Sequence, residues 1–187
     1  PKPDDDLAAD MYDWAAGALA AAGYQHYEIS NWALPGFKAK HNLGYWLNQP
    51  YLGVGPGAHS RLGSFRFWEV ASPRAYISRV KRWEAASPAP FLDFAEAELG
   101  TVLPVAGQEY IDLDTACAET MILGLRLLDG MDLAETSAQA GADLAQRYQP
   151  QLQELTGLGL LEQANSRLRL ARTAYFIANQ VFTRFVG

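Results

Sequence analysis

The sequence predicts an α+β chain: an α/β opening followed by a mostly helical segment with the outline of a winged helix. Three observations predict it. An amphipathic stripe beginning at Leu7 runs directly into a short alternating stretch, "YQHYEIS". From Asp114 several short helical patterns follow one another and close on a hairpin pattern, "GLLEQANSRLRL". Between the two lies a region dense in Gly, Pro, Asn and aromatic residues.

Leu7, Met11, Trp14, Ala15, Ala18 and Ala22 recur with helical spacing on one face, Asp6 stands where a cap is wanted and Gly23 where the helix should end. In the strand over 24–30, alternation places Tyr27 and Ile29 on one side and His26 and Glu28 on the other. Residues 31–66 read as irregular, with "YLGVGP" a candidate strand and "PGAHS" a turn. "ASPRAYISRVKRWEAAS" reads as a helix capped by Ser72, with Pro73 in the first turn and Tyr76, Val80 and Trp83 facing inward. "SPAP" at 87–90 stops it.

Proline, glycine and weak periodicity mark 87–113 as a linker, dividing the chain into 1–86 and 114–187. In the second part Met121, Ile122, Leu125 and Leu128 form a helical face ended by "DG", and Asp132 with Glu135 has capping-box spacing. Helical segments over 143–148 and 151–157 flank Pro150, then the hairpin turns at "ANS" and an amphipathic helix runs over 172–184.

Composition narrows the function. With 187 residues, 49% of them hydrophobic, the chain can bury real cores. A formal net charge of -6 gives no basic field for nucleic acid. Residues 115–187 hold six Arg against seven Asp and Glu, so Arg167, Arg169 and Arg172 near the hairpin do not amount to a phosphate-binding face. One cysteine, Cys117, supports neither a disulfide framework nor a thiolate-ligated metal centre. No apolar run approaches the roughly 18 residues of a membrane span, so the expected compartment is the cytoplasm. The first residue is Pro1 rather than Met, which points to a piece of a longer protein.

Two short segments could carry chemistry. In "KHNLGYW" a neutral imidazole, His41, stands beside Asn42, Tyr45 and Trp46. Such an imidazole can ligate haem iron with aromatic rings packed on the macrocycle, while composition alone favours a buried aromatic corner with Asn42 bonding local backbone. In "YLGVGPGAHS" the glycines at 53, 55 and 57 admit close ligand approach, and equally a plain tight turn. Their spacing matches neither a dinucleotide nor a P-loop fingerprint. All three histidines, His26, His41 and His59, precede residue 60, and none pairs with another at helical ligand spacing.

"YEISNWALPG", "HNLGYW", "YLGVGPGAHSRL" and the C-terminal "GLGLLE", "RLRL" and "ANQVFTRF" together resemble the oxygen-independent coproporphyrinogen III oxidase-like family of radical S-adenosylmethionine proteins, in its haem-chaperone branch. The resemblance runs through nearly the whole chain and covers only the family's C-terminal half. It implies that residues 7–30 are the last helix and strand of a partial (β/α) barrel, followed by a helical, winged-helix-like domain. It further implies that Gly55, Gly57, Ala58 and His59 belong to the wall of the S-adenosylmethionine site, with His59 beside the adenine. His41 matches the histidine that the branch uses toward haem and its iron, with Asn42, Tyr45 and Trp46 as companions; the oxidases proper lack this motif.

The family's 4Fe-4S cluster is held by a three-cysteine motif in the N-terminal half, so this chain alone is not expected to perform radical chemistry. The function implied is haem delivery to haem-requiring proteins such as respiratory enzymes, with peripheral membrane association compatible with it. The alternatives are oxidative decarboxylation of coproporphyrinogen, or an adaptor role for the winged-helix-like domain. One departure is "LARTA" at 170–174, where the family has Leu-Thr-x-x-Gly entering the last helix, which leaves that helix without its usual cap. A terminal barrel strand would also expose an edge, so either dimerisation or cover by the helix over 7–22 is expected.

Overall fold

A computed structural model describes residues 4–85, 104–164 and 167–186. The chain forms two compact units, one from Pro1–Gln49 with Leu113–Gly187 and the other from Pro50–Asp112. The units therefore interleave in sequence, unlike the linear division into 1–86, 87–113 and 114–187.

In the first unit, helix α1 spans Asp5–Ala21. Its cap is Asp4, two residues before the expected Asp6, with the carboxylate accepting from the backbone N–H of Asp6 and Leu7. Asp5 and Asp6 instead occupy the first turn, where negative charge suits the helix dipole. The apolar stripe does not enter a core: Leu7, Met11 and Trp14 are 57%, 63% and 76% exposed. Tyr12, from the neighbouring face, makes the contacts, with its ring against His26, Trp32 and Phe176.

The expected strand over 24–30 is a hairpin of β1 (Gln25–Glu28) and antiparallel β2 (Asn31–Ala33). A register shift between His26 and Glu28 breaks the alternation, so Tyr27 and Glu28 are both buried. Leu128 N–H donates to Tyr27 O and Ile29 N–H to Arg126 O, so β1 is covered within the chain by β2 and residues 126–128. Helix α2, Lys40–Trp46, forms where irregular chain was expected. It has no side-chain cap at Ala39 and contains a glycine, so local propensity gives little signal for it.

The rest of this unit is the helical domain. It comprises α4 (Leu113–Gly124), β6 (Met131–Asp132), α5 (Leu133–Ala140), α6 (Leu144–Arg147), α7 (Gln149–Gly157), β7 (Leu161–Ala164) and β8 (Arg167–Leu170). Asp132 caps α5 by accepting from Ala134 and Glu135 N–H, and Gly141 closes it in the left-handed conformation. The antiparallel order β6-β8-β7 is the wing of a winged helix. Met121, Leu125, Leu144, Leu161, Leu170 and Val181 are essentially inaccessible in one core, each contributing roughly 1.5–3 kcal/mol of burial.

The helix expected over 172–184 is broken into a 3₁₀ turn (Arg172–Ile177), α8 (Ala178–Phe182) and a second 3₁₀ turn (Thr183–Phe185). Ala171, at its start, supplies no side-chain cap, as the departure at "LARTA" implies.

In the second unit β3 (His59–Leu62), β4 (Phe65–Glu69) and β5 (Val105–Tyr110) form an antiparallel sheet in that order. Helix α3, Pro73–Ala85, starts with Ser72 Oγ accepting from Ala75 N–H. Phe67 and Val105 form the core, with Leu62 and Trp83 packed against it. Strand β5 lies inside the stretch expected to be a linker, because "VAGQEY" carries small and polar residues but pairs with β4 along its length apart from a bulge at Ala106. The expected stop at "SPAP" lies outside the described residues. "YLGVGP" is not a strand; Tyr51 alone bridges to Arg61.

Candidate functional site

Helix α2 carries the histidine motif on two faces. Asn42 and Trp46 are one turn apart, as are His41 and Tyr45. The first pair is the docking face. Asn42 Nδ2 donates to Tyr27 Oη at 3.3 Å, rather than to local backbone, and the Arg126 guanidinium lies 4.3 Å from the Trp46 ring centroid. Of the second pair His41 is exposed and Tyr45 half-buried, and the two rings meet edge-on with centroids 4.7 Å apart. An exposed imidazole braced by a phenol ring can take a ligand; the Trp46 ring, covered by Arg126, is already occupied on one side.

The docking face rests on a buried acid. Glu28 is fully inaccessible, and its carboxylate accepts from Ser30 N–H at 3.1 Å, from Asn31 Nδ2 and from Arg126 at 3.3 Å. C-terminal to Trp46, Asn48 Nδ2 donates to Thr120 Oγ1 at 2.9 Å and so ties the end of α2 to α4.

In the second unit the glycine segment is strapped to the start of the sheet. Tyr51 and Arg61 exchange both backbone hydrogen bonds, Gly53 N–H donates to the buried Ser60 Oγ at 2.9 Å, and Ala58 N–H donates to Gly55 O at 3.1 Å. Glu69 N–H donates to Ala58 O and Gly57 N–H to Val70 O, which fixes the turn against the end of β4. Gly53 is required by proximity: a Cβ there would stand 2.2 Å from His59 O. His59 is exposed and pairs across the strands with Trp68, their rings stacked at 5.9 Å and 29°. Trp68 in turn lies over Gly107, where a Cβ would come within 2.4 Å of the indole.

His26 is not part of either segment. It stacks on Trp32 at 4.1 Å and contacts Tyr12 and Tyr175, and burial lowers its pKa. Burial likewise pushes Tyr12 up to about 12 while its hydroxyl donates to Ile29 O. Cys117 is fully buried, and burial raises its thiol pKa. Near the wing, Arg167 donates to Gly130 O, Arg169 to Glu162 and Arg172 to Asp13, so these guanidinium groups are engaged within the chain. Among the described residues no group of three or more His, Cys, Asp or Glu is arranged to hold a metal ion, and no helix is long and apolar enough to cross a membrane.

In the sequence Glu28 stands out only as an acid among the histidines and aromatics before residue 60, and Arg126, Trp68 and Gly107 do not stand out at all. Arg126 lies 98 positions from Glu28, so no local pattern announces their pairing. An isolated glycine in a strand is the one available signal for Gly107, since it marks close approach of another group.

Comparison with known proteins agrees with the motifs. Residues 111–177 match the family model of the HemN C-terminal domain. The heme chaperone HemW of Mycobacterium tuberculosis is 35% identical over 185 residues, which are 99% of this chain and 41% of that protein. HemW of Bacillus subtilis is 31% identical over 185 residues, 99% of this chain and 44% of that protein. The solved structure of coproporphyrinogen III oxidase (HemN) from Escherichia coli, a radical SAM enzyme, shares the fold with a TM-score of 0.65 at 15% identity, over 98% of this chain and 42% of that one.

The chain carries the HemN C-terminal domain over residues 111–177 and is similar to the C-terminal part of the coproporphyrinogen III oxidase-like radical S-adenosylmethionine proteins. Within them it is similar to the heme chaperones HemW, of whose length it spans about two fifths.

Proposed function

We propose that this chain is the haem-contacting C-terminal portion of a haem chaperone, with His41 the residue that meets haem. The observation that carries the reading is the division of α2: Asn42 and Trp46 are committed to docking, whereas the His41 imidazole is exposed and braced by Tyr45. A haem iron needs one imidazole on its axis, not a cluster of ligands, so this donor fits the group. Haem supplies the iron that accepts the imidazole nitrogen; the chain's part is to hold His41 outward, keep Tyr45 at its edge and leave an approach from solvent. Delivery would be to haem-requiring proteins such as respiratory enzymes, from the cytoplasm or from a peripheral position at a membrane.

In the same reading Gly55, Gly57, Ala58 and His59 form part of a wall for S-adenosylmethionine, with His59 flanking the adenine. Supporting it are the backbone strapping of the turn and the exposed His59 ring, which Trp68 already holds in place. The 4Fe-4S cluster has no ligand set here, since the single thiol, Cys117, is enclosed in the helical core. The chain supplies no electron for cleavage of S-adenosylmethionine, and oxidative decarboxylation is not assigned to it.

Haem titration followed by the Soret band tests the proposal. The chain is expected to bind haem with a band shifted from that of free haem, and His41→Ala to lose that shift and at least about tenfold in affinity, the loss of one axial ligand bond. Equal spectra and affinities would refute it.

A further inference from the structure

We propose that Arg126 is a positioning residue for His41, holding the haem-contacting face of α2 through the Trp46 ring and itself held by Glu28. This rests on the reading of His41 above and adds to it Arg126 and Glu28, which act through Trp46.

Helix α2 is only seven residues long and has no side-chain cap, so its placement must come from tertiary contacts. Those on its docking face are the Asn42–Tyr27 hydrogen bond and the Arg126 guanidinium over Trp46. Trp46 Nε1 is buried without a hydrogen-bond partner, so the indole is oriented by its ring face and not by its N–H. His41 lies five positions before Trp46 in the same helix. A roll of the helix that takes Trp46 off the guanidinium therefore turns the direction in which His41 is presented.

Arg126 is suited to this task because its plane can stack on an indole while its edge donates to a carboxylate. Its NH2 group donates to Glu28 Oε2 at 3.3 Å and to Ser30 Oγ at 3.4 Å, and its own carbonyl accepts from Ile29 N–H at 3.2 Å. Both ends of the residue are thus fastened to the β1–β2 hairpin. Glu28 cannot swing with it, being fully buried and held by Ser30 and Asn31. The result is a chain of contacts, a fixed acid, a guanidinium set by the acid and an indole set by the guanidinium, that holds the helix on which His41 stands.

The test uses the 187-residue chain with two readouts, haem affinity from the Soret band and the His41 ring C–H resonance in the absence of haem, assigned by its loss in His41→Ala. Arg126→Met is expected to shift the His41 resonance and to weaken haem binding roughly tenfold, the upper part of what a desolvated cation–π contact sustains. Combined with His41→Ala it should cause no further loss of affinity, because a positioning residue acts only through the residue it positions. Trp46→Leu should behave as Arg126→Met does, and Trp46→Phe, which keeps a ring beneath the guanidinium, should recover most of the loss. Should Arg126→Met not fold, Glu28→Gln with Arg126→Met removes both charges and leaves no unpaired buried carboxylate.

An unmoved His41 resonance with unchanged haem affinity in a folded variant would overturn the proposal. So would an equal loss of affinity from Arg126→Met in the His41→Ala background. If the chain binds no haem, or His41→Ala binds it normally, the haem reading fails by itself, and the His41 resonance still decides whether Arg126 sets the helix.

Discussion

The two candidate segments, "KHNLGYW" and "GVGPGAHS", are of similar length and equally conspicuous in sequence, yet the structure holds them by opposite means. Helix α2 depends on side chains remote in sequence, Glu28 and Arg126, and on Asn48 meeting Thr120. The glycine segment depends on its own backbone, strapped by hydrogen bonds to Arg61, Glu69 and Val70, with Gly53 pressed against His59 O. An anchor made of side chains is vulnerable to substitution at a distance. One made of backbone is vulnerable at its glycines.

The sharpest way to break the contrast is at the buried acid. Arg126→Ala should destabilise the first unit by about 3–5 kcal/mol, since it leaves the Glu28 carboxylate buried without its cation, and urea unfolding followed by a probe in that unit would measure it. Next comes Gly53→Ala, expected to cost the second unit about 2–3 kcal/mol by driving a methyl group into His59 O, with no effect on the His41 resonance. Gly107→Ala should cost roughly 1–2 kcal/mol by displacing the Trp68 indole, and the near-UV dichroism of Trp68 should change with it. The contrast reverses at Gly44, where only Gln49 Oε1 stands near, at 3.6 Å. Gly44→Ala should stabilise α2 by about 0.5–1 kcal/mol, read as a higher unfolding midpoint.

The smallest effect depends on pH. Burial raises the pKa of Glu69 on β4, with the Arg79 charge opposing the shift. A carboxyl whose folded-state pKa lies above its unfolded value destabilises the fold by ionising: the penalty is absent below the unfolded pKa, grows as pH rises and is complete above the folded pKa. Glu69→Gln should therefore stabilise the second unit at neutral pH, and the gain over wild type should shrink to nothing in acid. A gain that persists in acid would rule out ionisation as its cause.

Where local chemistry decides the conformation, the sequence was readable. Ser72 with Pro73 announces α3, Asp132 with Glu135 announces the start of α5, and the alternation around "ANS" announces the wing. Where tertiary contacts decide, it was not. Helix α2 lacks a cap, β5 lacks apolar alternation, and the last helix divides into 3₁₀ and α turns once its capping residues are absent. The stripe on α1 is a different case: its helical periodicity is plain, but periodicity does not state what the stripe faces, and Trp14 is 76% exposed. For the site, "HNLGYW" and "GVGPGAHS" were visible as motifs. The division of the first into docking and presented faces was not, because it is imposed by Arg126 and Tyr27.

The central claim is that His41, and neither of the other two histidines, meets haem. Paramagnetic broadening by ferric haem distinguishes the three ring C–H resonances in one titration. The account predicts that the His41 signal is lost at the first additions of haem while those of His26 and His59 persist. Early loss of the His26 or His59 signal with His41 intact would contradict it.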